Sequence, residues 1–179
     1  ANHTRVFHSE PDYPSVLAAV KKQFYSGEGA IQYAPEAIAR ANADLLSDPT
    51  DKNNFLCTYE RFGKQAAGQV LKGLAFGKGQ AISDKEMAHR LDRYGLNPCG
   101  EIIGADFHCN LSEVHLNKID PSDQDTLDKA FRAGALAVAA LLHHKFMEPR
   151  YQESRELDPI VGVSFTGFFD FCVHAFGTD

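Results

Sequence analysis

Among the 179 residues there is no CxxC pair, no run of basic side chains and no internal repeat. The cysteines Cys57, Cys99, Cys109 and Cys172 do not match the spacing of a structural zinc site. The histidines His108, His143 and His144 fit no zinc pattern either, so no metal site is expected. With 18 basic against 24 acidic side chains the net charge is −6. Without a basic patch, the broad attraction on which polymeric nucleic-acid binding depends is missing. The longest apolar run, "AGALAVAALL" from Ala133 to Leu142, is about half of a membrane span and predicts a buried helix. No apolar signal segment opens the chain. Scattered cysteines without that signal predict a reducing, cytoplasmic setting, with neither membrane nor nucleic-acid polymer as a partner.

What is present has the balance of a folded globular chain, with 44% apolar and 23% charged residues. The opening "ANHTRVFHSEPDYP" shows neither an initiator methionine nor a convincing strand or cap, and predicts a chain that starts partway through a larger protein. Apolar residues at Val16, Leu17, Val20 and Phe24 predict a helix over 15–25 that ends at Ser26-Gly27. "SGEGAIQY" then reads as a turn leading into a short apolar segment. Pro35 and Glu36 open a second helix over "PEAIARANADLL".

Signals are mixed between Ser47 and Gly79, where a helix over 64–74 is expected and "GLAFGKGQ" reads as a flexible loop, since it lacks phosphate-loop spacing. Ser83 and Glu86 match a capping box, and Gly95 is placed to terminate that helix. Residues 97–120 read as irregular, then strand-like. The longest helix is predicted within 121–146, acidic at its start and with His143, His144 and Lys145 at its end to complement the dipole. Ile160 to Phe165 reads as a short strand followed by a packing turn in "SFTGFF". Helices alternating with short apolar strands predict an α/β fold, and no linker divides the chain.

The chemistry-bearing stretch is "NPCGEI", residues 97–102. Cys99 stands between a proline, which fixes one backbone angle, and a glycine, which permits a tight turn, so its sulfur can project from a loop tip. In an extended loop Asn97 and Glu101 would point to the same side, offering an amide and a carboxylate beside the sulfur. Thiolate chemistry favours a positive neighbour, and no Lys or Arg lies between Asn97 and Cys109. That environment suits one-electron chemistry at sulfur better than nucleophilic attack. Many unpaired cysteines are simply small buried hydrophobes, and the local pattern leaves both readings open.

Taken with "CNLSEVHLN" from Cys109, "YSGEGAIQYAPEAIARANADLL" upstream and "DPIVGVSFTGFFDF" downstream, "NPCGEI" resembles the active-site region of the monomeric, adenosylcobalamin-dependent (class II) ribonucleoside-triphosphate reductases. The resemblance runs over most of the chain and implies one domain over 1–179, a central fragment of a ten-stranded α/β barrel. An inner finger loop of that barrel carries the active cysteine. It implies that Cys99 is the thiyl-radical site, that Glu101 accepts the 3′-hydroxyl proton, and that Asn97 hydrogen-bonds the substrate. Cys109 resembles one member of the reducing dithiol, whose partner lies in a segment this sequence does not contain; Cys57 and Cys172 read as core cysteines.

The implied cofactor is adenosylcobalamin. The implied partners are a ribonucleoside triphosphate substrate, a deoxynucleotide effector, a thioredoxin-like reductant and the remaining segments of the same enzyme. A second expectation is a non-catalytic piece or split-protein half that acts only by docking with those segments. A third, an unrelated cysteine hydrolase, finds no histidine placed as an obvious base.

Overall fold

The computed structural model describes residues 4–27, 29–97 and 99–177. The chain is mixed α/β and divides into two compact units, Ala1–Ala105 and Asp106–Asp179. No Pro- or Gly-rich linker marks the boundary, which explains why the sequence pattern did not show it.

In the first unit, strand β1 (Thr4–Phe7) is followed by helix α1 (Tyr13–Ser26) and strand β2 (Ala30–Tyr33), and the two strands pair in parallel with Val6 opposite Gln32. Asp12 caps α1 by accepting the Ser15 N–H. The opening therefore holds both a strand and a cap, contrary to expectation. A four-residue strand whose partner lies some 26 positions on leaves no local signature.

Helices α2 (Ala34–Ala41), α3 (Pro49–Phe62), α4 (Lys64–Gly77) and α5 (Asp84–Leu91) follow. Asp48 caps α3 through the Thr50 and Asp51 N–H groups. The supposed loop at Gly73 is helical, because α4 runs on to Gly77. Ser83 accepts the Glu86 N–H at 3.1 Å, so the capping box forms. Gly95, however, does not end α5, which stops at Leu91; it opens strand β3 (Gly95–Leu96), antiparallel to β4 (Ile103–Gly104).

These helices bury Ile38, Leu45, Phe55, Leu71, Met87 and Leu91 in one cluster. Asn42 is fully buried at its edge, donating to the Ile38 and Arg90 carbonyls and accepting from the Arg90 guanidinium. Arg90 also pairs with Asp44 and Glu86. Burial alone would favour a neutral Arg90, but those two carboxylates outweigh it and hold the guanidinium charged.

The second unit holds strand β5 (Asn110–His115), a 3-10 turn (Leu116–Lys118), helices α6 (Gln124–Leu141) and α7 (Pro149–Leu157), strand β6 (Val161–Thr166) and helix α8 (Phe168–Phe176). β5 and β6 are parallel, with Ser112 opposite Val163. Only one stripe of α6 packs inward, with Leu127, Ala130 and Phe131 around the Val114 cluster and Val138 buried further along the helix. Gly134 allows the contact, since a Cβ there would stand 2.9 Å from Ser112 Oγ, and Ser112 donates to the Gly134 carbonyl at 3.1 Å.

The expectation of a buried apolar helix is thus corrected: Leu136 and Leu141 on its other faces are exposed. α6 also stops before His143, so the histidines and Lys145 lie beyond its last turn. Among the described residues no helix is long and apolar enough to cross a membrane.

Candidate functional site

The motif folds as the turn of the β3–β4 hairpin. Asn97 exchanges backbone hydrogen bonds with its surroundings, its N–H donating to the Ile102 carbonyl at 3.2 Å and its carbonyl accepting from the Gly100 N–H at 3.0 Å. Its side chain bridges the same turn: Oδ1 accepts the Ile102 N–H at 3.0 Å, while Nδ2 donates to Glu101 Oε1 at 2.5 Å. One amide therefore both closes the loop and holds the carboxylate.

Cys99 lies at the exposed tip, and Gly100 takes the left-handed conformation at φ 79° that the reversal requires. A Cβ at Gly100 would meet nothing within 4 Å, so the glycine is required by its backbone angle and not by crowding. Pro98, whose fixed angle was part of the sequence argument, lies outside the described residues. The motif is a turn rather than an extended segment, so Asn97 and Glu101 meet by bridging it, not by alternation along a strand. Glu101 is exposed and makes no ion pair among the described residues.

Cys109 is half-buried and belongs to the second unit, immediately before β5. Among the described residues no cysteine forms a disulfide. Cys57 does not sit in the core as expected; it is exposed on α3, with its thiol 3.9 Å from Asn53 Oδ1, because the buried stripe of that helix is carried by Phe55 and Tyr59. Cys172 is half-buried on α8.

The β5–β6 pair is covered by α6 on the face of Ser112, Val114 and Val163. By alternation, Leu111, Glu113 and His115 share the opposite face with Gly162, Ser164 and Thr166.

Sequence reasoning missed the surroundings of Cys109. His108 stacks on Phe146 at 4.5 Å between ring centroids and meets Tyr151 edge-on at 5.2 Å. Arg155 lies 5.0 Å over the Phe146 ring and Arg150 lies 4.9 Å over Tyr151. Within the second unit, Arg150 and Arg155 of α7 thus cover the two rings that meet His108. The signal available was the aromatic and basic density of "HHKFMEPRY", but which loop it would meet is a tertiary matter. Among the described residues no group of three metal-ligating side chains gathers. Compared with known proteins, the chain matches no family model, no curated protein and no solved structure.

Proposed function

We propose that this chain is the radical-cysteine segment of an adenosylcobalamin-dependent ribonucleoside-triphosphate reductase. The parallel pairs β1–β2 and β5–β6 would be parts of its ten-stranded barrel, and the β3–β4 hairpin its finger loop. The observation that carries the reading is Cys99 exposed on a hairpin tip whose neighbouring carboxylate, Glu101, is held at 2.5 Å by Asn97. That is the arrangement a sulfur needs to reach a sugar with a base beside it.

The corrin ring carries its own cobalt, so no protein ligand cluster is required, and the exposed Cys99 is accessible to a bound group. When bound, the cofactor supplies a carbon-centred radical by homolysis of its cobalt–carbon bond. Cys99, having lost its hydrogen atom, takes the 3′-hydrogen of the ribose. Glu101 accepts the 3′-hydroxyl proton as the 2′-hydroxyl leaves as water. Asn97 orients that carboxylate, a role beyond the substrate contact that the resemblance implies. Cys109 and a partner thiol give up two electrons and two protons, which complete the water and put hydrogen in place of the 2′-hydroxyl, and close to a disulfide; Cys99 returns the 3′-hydrogen to the sugar and then recovers the hydrogen atom it gave up at the start.

A specific observation also favours the docking reading: among the described residues each of the three sheets has only two strands, and α8 buries none of its side chains. Paired and covered sheets of this kind are ordinarily larger. The chain would then turn over only with the remaining segments of the enzyme, its deoxynucleotide effector and a thioredoxin-like reductant.

Mixing the chain with those segments and adenosylcobalamin should yield deoxynucleoside triphosphate. Cys99→Ser should abolish all turnover, whereas Cys109→Ser should permit radical formation and substrate decay without repeated reduction. Identical behaviour of the two variants, or unimpaired turnover of the Cys99 variant, would overturn the assignment.

A further inference from the structure

We infer that the His108–Phe146–Tyr151 stack, braced by Arg150 and Arg155, is the device that positions Cys109. Only the purpose of that positioning rests on the reductase reading. His108 is joined directly to Cys109, so wherever the imidazole is held, the peptide leading to the sulfur is held too. The ring is fixed on two sides, 4.5 Å from Phe146 at an interplanar angle of 35° and 5.2 Å from Tyr151 at 88°. Both are geometries favoured by aromatic quadrupoles.

Phe146 is itself locked in place. His144 meets it edge-on at 5.2 Å, and the Arg155 guanidinium covers its ring at 5.0 Å. The same guanidinium donates to the His144 carbonyl and, at 2.9 Å, to Gln152 Oε1. Gln152 Oε1 also accepts the Phe146 N–H at 3.5 Å. One planar cation therefore ties the loop after α6 to α7 by stacking and hydrogen bonding at once, which the point charge of a lysine cannot do.

The far end of the cysteine's loop is pinned as well. Asp106 has φ 45°, a conformation uncommon for a residue with a side chain, and its carboxylate lies 4.0 Å from Arg150. Arg150 in turn rests on Tyr151 and donates to its hydroxyl. Residues 106–109 are held at both ends by side chains of a single helix and the loop before it. Disulfide formation demands a narrow range of sulfur positions, so a thiol on a loop needs such a brace. Phe146 and Arg155 are accordingly positioning residues, acting on Cys109 through His108.

The test is competitive alkylation of the whole 179-residue chain with iodoacetamide, with the Cys99 and Cys109 peptides quantified together by mass spectrometry. Cys99 lies in the other compact unit and serves as the internal reference. Phe146→Ala should raise the Cys109 rate about tenfold relative to Cys99. Phe146→Tyr, which retains the stack, should stay within about twofold of the native rate, whereas Arg155→Lys should behave like the alanine variant.

If Phe146→Ala unfolds the second unit, seen as loss of hydrogen-exchange protection in α6, His108→Gln provides the same readout, removing the link to Cys109 while the Phe146–Arg155–Gln152 contacts stay in place. An unchanged Cys109-to-Cys99 ratio in the folded variant, or failure of tyrosine to restore it, overturns the inference. A responsive Cys109 together with unimpaired turnover of Cys99→Ser in the reconstituted enzyme would instead leave the clamp standing and remove the reductase reading.

Discussion

The two compact units differ in the size of the apolar core they enclose. In the first, helices α2 to α5 enclose Phe55, Ile38, Leu45 and Leu71 completely, and even Asn42 is drawn in with its hydrogen bonds satisfied. In the second, the buried cluster comes down to Val114, Leu116 and Ile119, with partly buried neighbours, while Leu136 is 72% and Phe169 79% exposed. Helix α8 is mostly apolar and has no buried residue at all. Burial of one large apolar side chain contributes roughly 1.5–3 kcal/mol, so the first unit carries most of its stabilisation internally. Both units expose aromatic residues, Phe24 and Phe76 in the first among them, but only the first also encloses a large buried cluster. Positions of similar chemistry therefore have different consequences according to the unit in which they fall.

The sharpest way to break that contrast is to truncate one large apolar residue in each unit. Phe55→Ala should cost about 3–5 kcal/mol, read as urea unfolding on amide signals of the first unit, while Leu136→Ala in α6 should change the second unit by under about 0.5 kcal/mol. Comparable losses would show the contrast to be false.

A smaller effect tests the polar edge of the first core. Asn42→Ala removes three hydrogen bonds and leaves the Arg90 carbonyl and guanidinium short of a partner, for an expected loss of about 2–3 kcal/mol. A variant as stable as the native chain would mean that water replaces the amide without cost.

The smallest effect is a pH dependence confined to the first unit. Burial pulls the Glu36 carboxyl upward, but hydrogen bonds from Lys52 at 2.6 Å and Arg40 at 2.8 Å outweigh it and hold the group below its ordinary value of 4.5. A carboxyl depressed in the folded state contributes stability that is present above its unfolded pKa and lost as pH falls through the folded one. Glu36→Gln should therefore lower the first unit's stability modestly near neutrality and flatten its acid limb below about pH 4.5, where the native carboxyl loses the same contribution. An unaltered acid limb would show that this pair contributes nothing.

Legibility in the sequence followed the range of the interactions. The Ser83 cap, the turn at Gly27, the short segment that became β2 and the strand β6 were all readable, because each depends on residues a few positions apart. The helix α3 was overlooked although Asp48-Pro49 is an ordinary N-terminal signature, since its aromatic and polar residues give only a weak amphipathic period. Glycines at 73 and 77 suggested a loop, yet α4 persists because Leu71 and Ala75 are buried in the core. At the site, the exposed turn at Cys99 was legible from its neighbours. The bridge from Asn97 to Glu101 was anticipated as proximity but not as a bond. Nothing local indicated that Phe146 and Arg155 would close on His108.

The order of residues by itself determined the caps, the turn that exposes Cys99 and the placing of an amide and a carboxylate on either side of it, because those depend on backbone sterics and hydrogen bonds within one or two turns of chain. Only the tertiary structure decided which stripe of α6 is covered, that α8 is left open, and that α7 braces the loop before Cys109. Such outcomes depend on how apolar area and ring faces meet across tens of residues, and no local spacing encodes which surfaces will meet.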